Sequence, residues 1–209
     1  MIKSSNGRFF IDPSAKIGVP LRFLQGCVVS KHTLDNTMVR LPKSLYIGPY
    51  AIIGENVTLG ENTVIDAFCK VSSSVSIGKN TLLIYRAMVG GEAIIGEDCV
   101  IGGVIPERGI IGNRCKVFGN LVHTHNDSTM SWDHHEVPEP SVTINDDCFI
   151  GFGAQVIGGF EVGPKSYICS GAIITKCVPP YHIASGVNKI VHYSKWKGDL
   201  RNNPIFLQE

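Results

Sequence analysis

Aliphatic side chains recur at every sixth position through the first half of the chain. From Ile11 the step reaches Ile17, Phe23, Val29, Asp35, Leu41, Ile47, Ile53, Leu59, Ile65, Val71, Ile77, Leu83, Val89, Ile95 and Ile101, and Asp35 is its one polar member. The count resumes at Ile111 and Val117, then again as Ile144, Ile150, Val156, Val162, Ile168 and Ile174. A six-residue step fits neither the 3.6-residue stripe of a helix nor the two-residue alternation of a strand. It predicts a solenoid of short strands, three hexads to a triangular coil, in which each coil buries its apolar rung against its neighbours. A β-sandwich, with turns at irregular intervals, would not hold one phase for so long.

Two further positions follow the same register. Glycine follows the aliphatic residue at Gly18, Gly48, Gly54, Gly60, Gly78, Gly90, Gly96, Gly102, Gly112, Gly151 and Gly163. Its conformational freedom suits a tight corner repeated every few residues. Four places after the aliphatic residue comes a compact side chain, among them Ala51, Thr63, Thr81, Ala87, Ala154, Ser166 and Ala172. Positions four and six steps on lie two apart along one strand and face the same side, so a large and a small side chain alternate in a narrow interior. Five of the seven cysteines (Cys27, Cys69, Cys99, Cys115, Cys148) occupy that small slot, which predicts burial as small hydrophobes. Cys169 and Cys177 fall outside it and are expected at the surface. An odd cysteine total without CxxC disfavours a disulfide framework.

The pattern predicts an all-β domain over residues 1–181 of about eight coils, followed by an extension over 182–209. Residues 18–46 keep the ladder but lose the glycine corners, so distorted coil is expected there. Two interruptions stand out. Residues 103–110 (GVIPERGI) lengthen one step by four and are expected to bulge as a loop. Residues 123–140 (HTHNDSTMSWDHHEVPEP) form a longer extruded loop with four of the seven histidines, Trp132 and several acidic residues. Function tends to collect on loops held by a rigid scaffold.

Net charge is +1 and no cluster of lysine or arginine appears, which argues against nucleic acid or an anionic membrane surface as the main partner. The first ten residues are polar, without an apolar run of signal-peptide length, and no membrane span follows; a cytoplasmic location is expected.

From Ile144 the sequence reads INDDCFIGFGAQVIGGFEVGPKSYICSGAIITKCVPPYHIASGVNKIV. This resembles the closing coils of hexapeptide-repeat acyltransferases, whose fold is a left-handed parallel β-helix. Ile174-Thr175-Lys176-Cys177-Val178-Pro179-Pro180 is similar to the family's last-coil signature. The loop opened by His125-Asn126 resembles the catalytic loop of its sugar and xenobiotic acetyltransferase branch. Two departures are visible: Phe149 stands where the family usually has tryptophan, and Gly186-Val187-Asn188-Lys189 is one residue shorter than the usual G-N-P-A-K close.

The resemblance implies a homotrimer with active sites in grooves between subunits, acetyl-CoA lying beside the late coils, and one histidine as general base. The base is assigned first to His125, which begins the family-like pair, and second to His123, with His134 and His135 behind them. His123 falls on the six-residue step, which predicts a buried, hydrogen-bonded core position. Asp127 or Glu136 would fix the imidazole tautomer. For acetyl-CoA the resemblance points to Ser170, Thr175 and Lys176, with Phe152 one coil earlier, and with Gly153, Gly171 and Ala172 offering backbone without bulk. Asn126, Asp127 and Trp132 are candidates for the acceptor. The expected reaction is acetyl transfer to a hydroxyl of a sugar or sugar-like molecule. An amine acceptor, a metal hydratase of the γ-type carbonic anhydrase kind and a non-catalytic solenoid subunit are the competing readings.

Overall fold

The computed structural model describes residues 2–3, 9–11, 21–23, 27–29, 45–48, 50–123 and 139–207. From Ile52 the chain winds through three sheets in fixed rotation: Ile52–Ile53 joins the first, Thr58–Leu59 the second and Thr63–Ile65 the third. The rotation repeats until His182–Ser185, giving seven complete turns of a left-handed parallel β-helix. Corner I joins the first sheet to the second, corner II the second to the third, and corner III returns to the first. Rung sits directly over rung, as Ile77 over Ile95 and Leu83 over Ile101. Backbone bonds such as Gly78 N–H to Ile95 O (2.8 Å) run from each coil to the next. The interior is this column of rungs, with the aliphatic ladder essentially inaccessible from Ile47 to Ile174.

Ahead of these seven turns, among the described residues, the register departs from three hexads per coil. Val29 pairs with Ile53, which is 24 residues on, instead of the 18 that separate Ile53 from Val71. An extra hexad leaves the six-residue phase intact while breaking the three-per-coil count. Among the described residues before Ile47, strands join only the first and third sheets: Phe9–Ile11, Leu21–Phe23, Cys27–Val29 and Leu45–Ile47, with Ile2–Lys3 antiparallel at the first sheet's edge.

The corner glycines serve space, not torsion. A Cβ on Gly54 would lie 2.6 Å from the Ser73 backbone nitrogen of the next coil, a separation no side chain tolerates. The left-handed conformation falls two residues later, on Asn56 (φ 55°), Asn62 (58°) and Asn80 (55°), and on Asp98 and Asp147. Asparagine and aspartate accept that region more readily than other side chains.

The small slot is also sorted by corner. At corner II it holds Thr63, Thr81, Cys99, Cys115, Cys148 and Ser166, and each donates to a corner carbonyl of the coil above: Thr81 Oγ1 to Gly96 O (2.9 Å), Cys99 Sγ to Gly112 O (3.1 Å), Cys115 Sγ to Asn145 O (3.1 Å), Cys148 Sγ to Gly163 O (3.2 Å) and Ser166 Oγ to Pro179 O (2.9 Å). Thr63 Oγ1 reaches Gly78 O at 3.4 Å. Buried carbonyls left over by the turn thus find donors. The slot selects compact donors at corner II, while corner III holds alanine at Ala51, Ala87, Ala154 and Ala172 and one thiol, Cys69, whose Sγ donates to Ile84 O at 3.2 Å. The cysteine expectation holds for Cys69, Cys99, Cys115 and Cys148, all buried; the side chain of Cys27 lies outside the described residues.

Residues 103–110 do not bulge. Val104–Ile105 is a first-sheet strand with Ile105 on the ladder, so corner III is shortened: Ile101 to Ile105 is a step of four. The shortening recurs from Val117 to Leu121, and Gly103 and Gly119 stack so closely there that a Cβ on Gly103 would collide with the Gly119 carbonyl. The chain has lost two residues at each of these corners, where the six-count read an insertion.

At the far end, Lys189–His192 pairs antiparallel with His182–Ser185 and covers the last edge of the third sheet, the usual protection for an unpaired strand. The tail then folds back in 3-10 turns, and buried Phe206 stacks on Tyr193 at 4.9 Å.

Two glycine substitutions separate space from torsion. Gly54→Ala is expected to destabilise the helix by about 1–3 kcal/mol, because the next coil must shift. Gly91→Ala, whose Cβ would meet only the Ser73 carbonyl at 3.5 Å, is expected to be neutral or stabilising by about 0.4–1 kcal/mol through the unfolded chain. Urea unfolding of both variants measures the difference.

Candidate active site

The two shortened corners re-phase the ladder, and this decides where His123 stands. Counting by six puts His123 inside; the structure puts Leu121 inside, and His123 emerges at corner I with its side chain 26% exposed. The expectation of a core histidine is overturned, while that of a hydrogen-bonded one holds. Its Nδ1 lies 3.1 Å from Oε2 of Glu139, whose side chain is only 9% exposed. Leu121 and Ile144 are 23 residues apart where the ordinary step is six, so the long segment is inserted at this corner. His123 and Glu139 are its two ends, and their bond closes the neck. From the coil below, Arg108 Nη2 donates to the Glu139 carbonyl at 3.5 Å.

This pairing sets the chemistry of the imidazole. In the tautomer with the proton on Nδ1 the ring donates to the Glu139 carboxylate, and Nε2 is then the acceptor nitrogen. Below His123 runs a groove of about 340 Å³, with Lys70 and Ser72 at one end, Met88, Val104 and Pro106 along it, and Leu121 and His123 at the other. It follows the first sheet and corner I across four coils.

The sequence-predicted donor residues lie on the other side of His123, on the two coils after it, and they flank the same first sheet. Phe152, Gly153, Ser170 and Gly171 stand at corner III; Thr175 and Lys176 stand at corner I, beyond strand Ile173–Ile174. Consecutive coils stack there through Gly171 N–H to Phe152 O (3.0 Å). Phe152 is 80% exposed, and Ser170, Thr175 and Lys176 are exposed too. Ala172 differs: its methyl fills the inward slot and is fully buried, so no ligand reaches that side chain.

Gly153 and Gly171 have φ of 68° and 69°, and a Cβ on either would meet nothing within 4 Å. At the equivalent corner III position earlier coils carry Tyr50, Phe68 and Arg86 in the same left-handed conformation. The fold therefore does not demand glycine there. What the two glycines do is leave the late corner bare, where early coils present aromatic rings.

His125, Asn126, Asp127 and Trp132, with His134, His135 and Glu136, lie outside the described residues. Three residues that sequence reasoning passed over enter the site. Glu139 is 16 residues from its partner and carries no periodic signal. Lys70 looks like any outward strand residue. Asn188 locks Thr175 from both sides, its Oδ1 accepting from Thr175 N–H (2.9 Å) and its Nδ2 donating to Thr175 Oγ1 (2.8 Å). The Phe149 departure keeps an aromatic stack on the third sheet, with Tyr167 at 4.4 Å.

The model of the hexapeptide repeat of succinyl-transferase matches residues 50–83 and 141–176. Two segments of the chain, about a third of its length, thus match that repeat. This hexapeptide-repeat protein is 24% identical over 192 residues to the bifunctional protein GlmU of Bartonella quintana (strain Toulouse), covering 91% of this chain and 37% of that one. It is 32% identical over 78 residues to the serine acetyltransferase of Bacillus subtilis (strain 168), covering 37% and 36%. It thus spans about a third of the length of these curated relatives. Among solved structures it is similar to a mutant of perosamine N-acetyltransferase from Caulobacter crescentus in complex with CoA and GDP-perosamine, at a TM-score of 0.46 and 19% identity, covering 74% of this chain and 57% of that one. The UDP-N-acetylglucosamine acyltransferase of Francisella novicida aligns at a TM-score of 0.38 and 20% identity, covering 86% and 67%.

The cysteines of this hexapeptide-repeat protein divide sharply in reactivity. Burial pushes the Cys69 thiol up to about 11 and raises that of Cys169. Cys99 and Cys115 are raised through hydrogen bonding within the corner II column and by burial. Cys177, at corner I beside Lys176, is exposed. Since the thiolate is the reactive form, alkylation of the native protein at pH 8 is expected at Cys177 first, with Cys69, Cys99, Cys115 and Cys148 reacting only after unfolding. Peptide mass mapping of the label measures this.

Proposed function

We propose that this chain transfers an acetyl group from acetyl-CoA to a hydroxyl of a sugar-like acceptor, with His123 as the general base and Glu139 as its positioning residue. The observation that carries the reading is the His123–Glu139 pair, placed between a groove on the preceding coils and a bare corner on the following ones. The closing-coil signature at residues 174–180 and the partial match to a serine acetyltransferase support the reaction class. By the same resemblance the protein acts as a homotrimer whose neighbouring subunit completes each groove.

In this mechanism the acceptor hydroxyl attacks the thioester carbonyl carbon as its proton passes to His123 Nε2. The tetrahedral intermediate collapses with cleavage of the C–S bond, and the imidazolium returns the proton to the departing CoA thiolate. Glu139 keeps Nδ1 protonated throughout and stabilises the cationic ring. A hydroxyl is almost wholly protonated at neutral pH, so it is the acceptor that gains most from such a base. Ser170, Thr175 and the backbone at Gly153 and Gly171 receive the pantetheine arm, and Lys176 pairs with a phosphate as a point charge. Phe152 lines the same stack. Asn126, Asp127 and Trp132 border the acceptor from the inserted segment, and His125 is the second candidate for the base.

Two sets of variants test this. His123→Ala is expected to lower kcat by about 10²–10⁴ with acetyl-CoA affinity unchanged, and Glu139→Gln to lower it less. A folded His123→Ala protein with full turnover overturns the assignment, and loss of turnover in His125→Ala instead moves the base there. Gly171→Tyr is expected to fold, as Tyr50 does at the equivalent corner, yet to raise the KM for acetyl-CoA. An unchanged KM would remove that corner from the cofactor path.

A further inference from the structure

The shortened close of the helix, Gly186-Val187-Asn188-Lys189, has a structural use. Ser185 pairs with Lys189, so only Gly186, Val187 and Asn188 turn the chain between strands His182–Ser185 and Lys189–His192. Gly186 and Asn188 both take the left-handed conformation (φ 52°), which asparagine accepts more readily than most side chains. The turn lies along the last strand of the first sheet. Ile173 N–H donates to Gly186 O (2.8 Å), and Asn188 N–H donates to Ile173 O (3.0 Å). That placement brings the Asn188 side chain onto Thr175.

The two side-chain bonds between these residues fix more than position. A backbone N–H can only donate, so the Asn188 atom 2.9 Å from Thr175 N is the carbonyl Oδ1. The other amide atom, 2.8 Å from Thr175 Oγ1, is therefore Nδ2, which can only donate. Thr175 Oγ1 must then accept, and its own proton points away from Asn188. Thr175 is exposed, and among the described residues no hydrogen bond takes that proton up. Corner I of the last coil thus presents a hydroxyl held as a donor, instead of one free to turn either way.

We infer that Asn188 is a positioning residue for acetyl-CoA, holding the Thr175 hydroxyl as a donor toward an amide carbonyl of the pantetheine arm. This rests on the acyl-transfer reading of the site, which puts Thr175 on that arm and leaves the direction of its hydroxyl open. Each amide of the arm offers a carbonyl acceptor and an N–H donor, and a hydroxyl fixed as donor selects the carbonyl. Fixing it before binding also spares the cost of ordering it afterwards. Asparagine meets all the demands of the position: a left-handed backbone, an acceptor for Thr175 N–H and a donor for Thr175 Oγ1. Aspartate would meet the first two and reverse the last, because its carboxylate would take up the hydroxyl proton.

The test measures binding of acetyl-CoA by calorimetry, and of acetyl-pantetheine, which lacks the nucleotide phosphates, by NMR titration. Wild type is compared with Asn188→Asp, Thr175→Val, Thr175→Ser and the double variant Asn188→Asp/Thr175→Val. Asn188→Asp should unfold near the wild-type temperature yet bind both ligands about 5- to 100-fold more weakly, because an acceptor then faces an acceptor. Thr175→Val should weaken binding about 3- to 10-fold, and Thr175→Ser should keep it within about twofold. With acetyl-pantetheine, Asn188→Asp should add nothing in the Thr175→Val background, since no hydroxyl remains to reverse. A loss confined to acetyl-CoA, or one that persists for acetyl-pantetheine in the double variant, marks an effect of charge and overturns the inference. So does full affinity in Asn188→Asp. Should that variant fail to fold, equal affinities of Thr175→Val and Thr175→Ser overturn the inference by themselves. All these outcomes leave the acyl-transfer reading standing, whereas failure of the wild type to bind acetyl-CoA removes that reading and this one with it.

Discussion

Neighbouring coils lie one strand spacing apart, about 4.8 Å, and the residue choices of the chain answer to that closeness. Where glycine takes the first corner position, as at Gly54 beneath Ser73, the backbone of the next turn leaves no room for a Cβ. The sharp reversal that follows is taken by a left-handed residue two places on, commonly asparagine or aspartate. The carbonyls that the reversal strands inside corner II are met by a column of hydroxyls and thiols rising through six coils. Sterics, torsion and hydrogen bonding are therefore divided among three different positions of one hexad.

A scaffold this repetitive has no site until something breaks the repeat, and the breaks here are few. Two deletions of two residues each at corner III re-phase the ladder, the second so that Leu121 replaces His123 as the rung. The imidazole then stands at the surface within reach of a carboxylate. A seventeen-residue excess at corner I brings the carboxylate itself, because the chain must return to the same corner before Thr143–Ile144 can pair with Ile110–Ile111. Replacement of corner III aromatics by Gly153 and Gly171 opens the late coils. Each departure is small, and each is held by rungs that remain in register on both sides.

The same division explains what could be read from sequence. The fold was legible because burial repeats: a six-residue phase over most of the chain admits one architecture, and the small slot foretold the burial of Cys69, Cys99, Cys115 and Cys148. The phase could not count coils, since the extra hexad between Val29 and Ile53 leaves every rung in step. Nor could it tell a deletion from an insertion at residues 101–111, because a ten-residue interval is four more than one step and two fewer than two. The role of glycine was misplaced for a physical reason too: conformational freedom and lack of bulk are one residue's two properties, and only coordinates say which is used. For the candidate site, the late-coil positions rest on motif, and the structure places them on either side of the first sheet. The His123–Glu139 pair was not legible, because it joins the two ends of an aperiodic segment, and Lys70 acquires meaning only from the groove that it ends.

Why the pair stands at the neck follows from rigidity. A base must be held within hydrogen-bond reach of a hydroxyl throughout turnover, and a loop tip rarely offers that constancy. At the neck the backbone on either side is already committed: Asn120–Val122 pairs with Gln155–Ile157, and Thr143–Ile144 with Glu161–Val162. His123 and Glu139 are thus near the last and first residues that the stacked sheets hold, and Arg108 ties the returning strand to the coil below. The imidazole thereby keeps the geometry of the stacked coils on either side. Along the axis the imidazole of His123 stands where the early coils end and the late coils begin, between the groove over Met88 and the corner that carries Phe152.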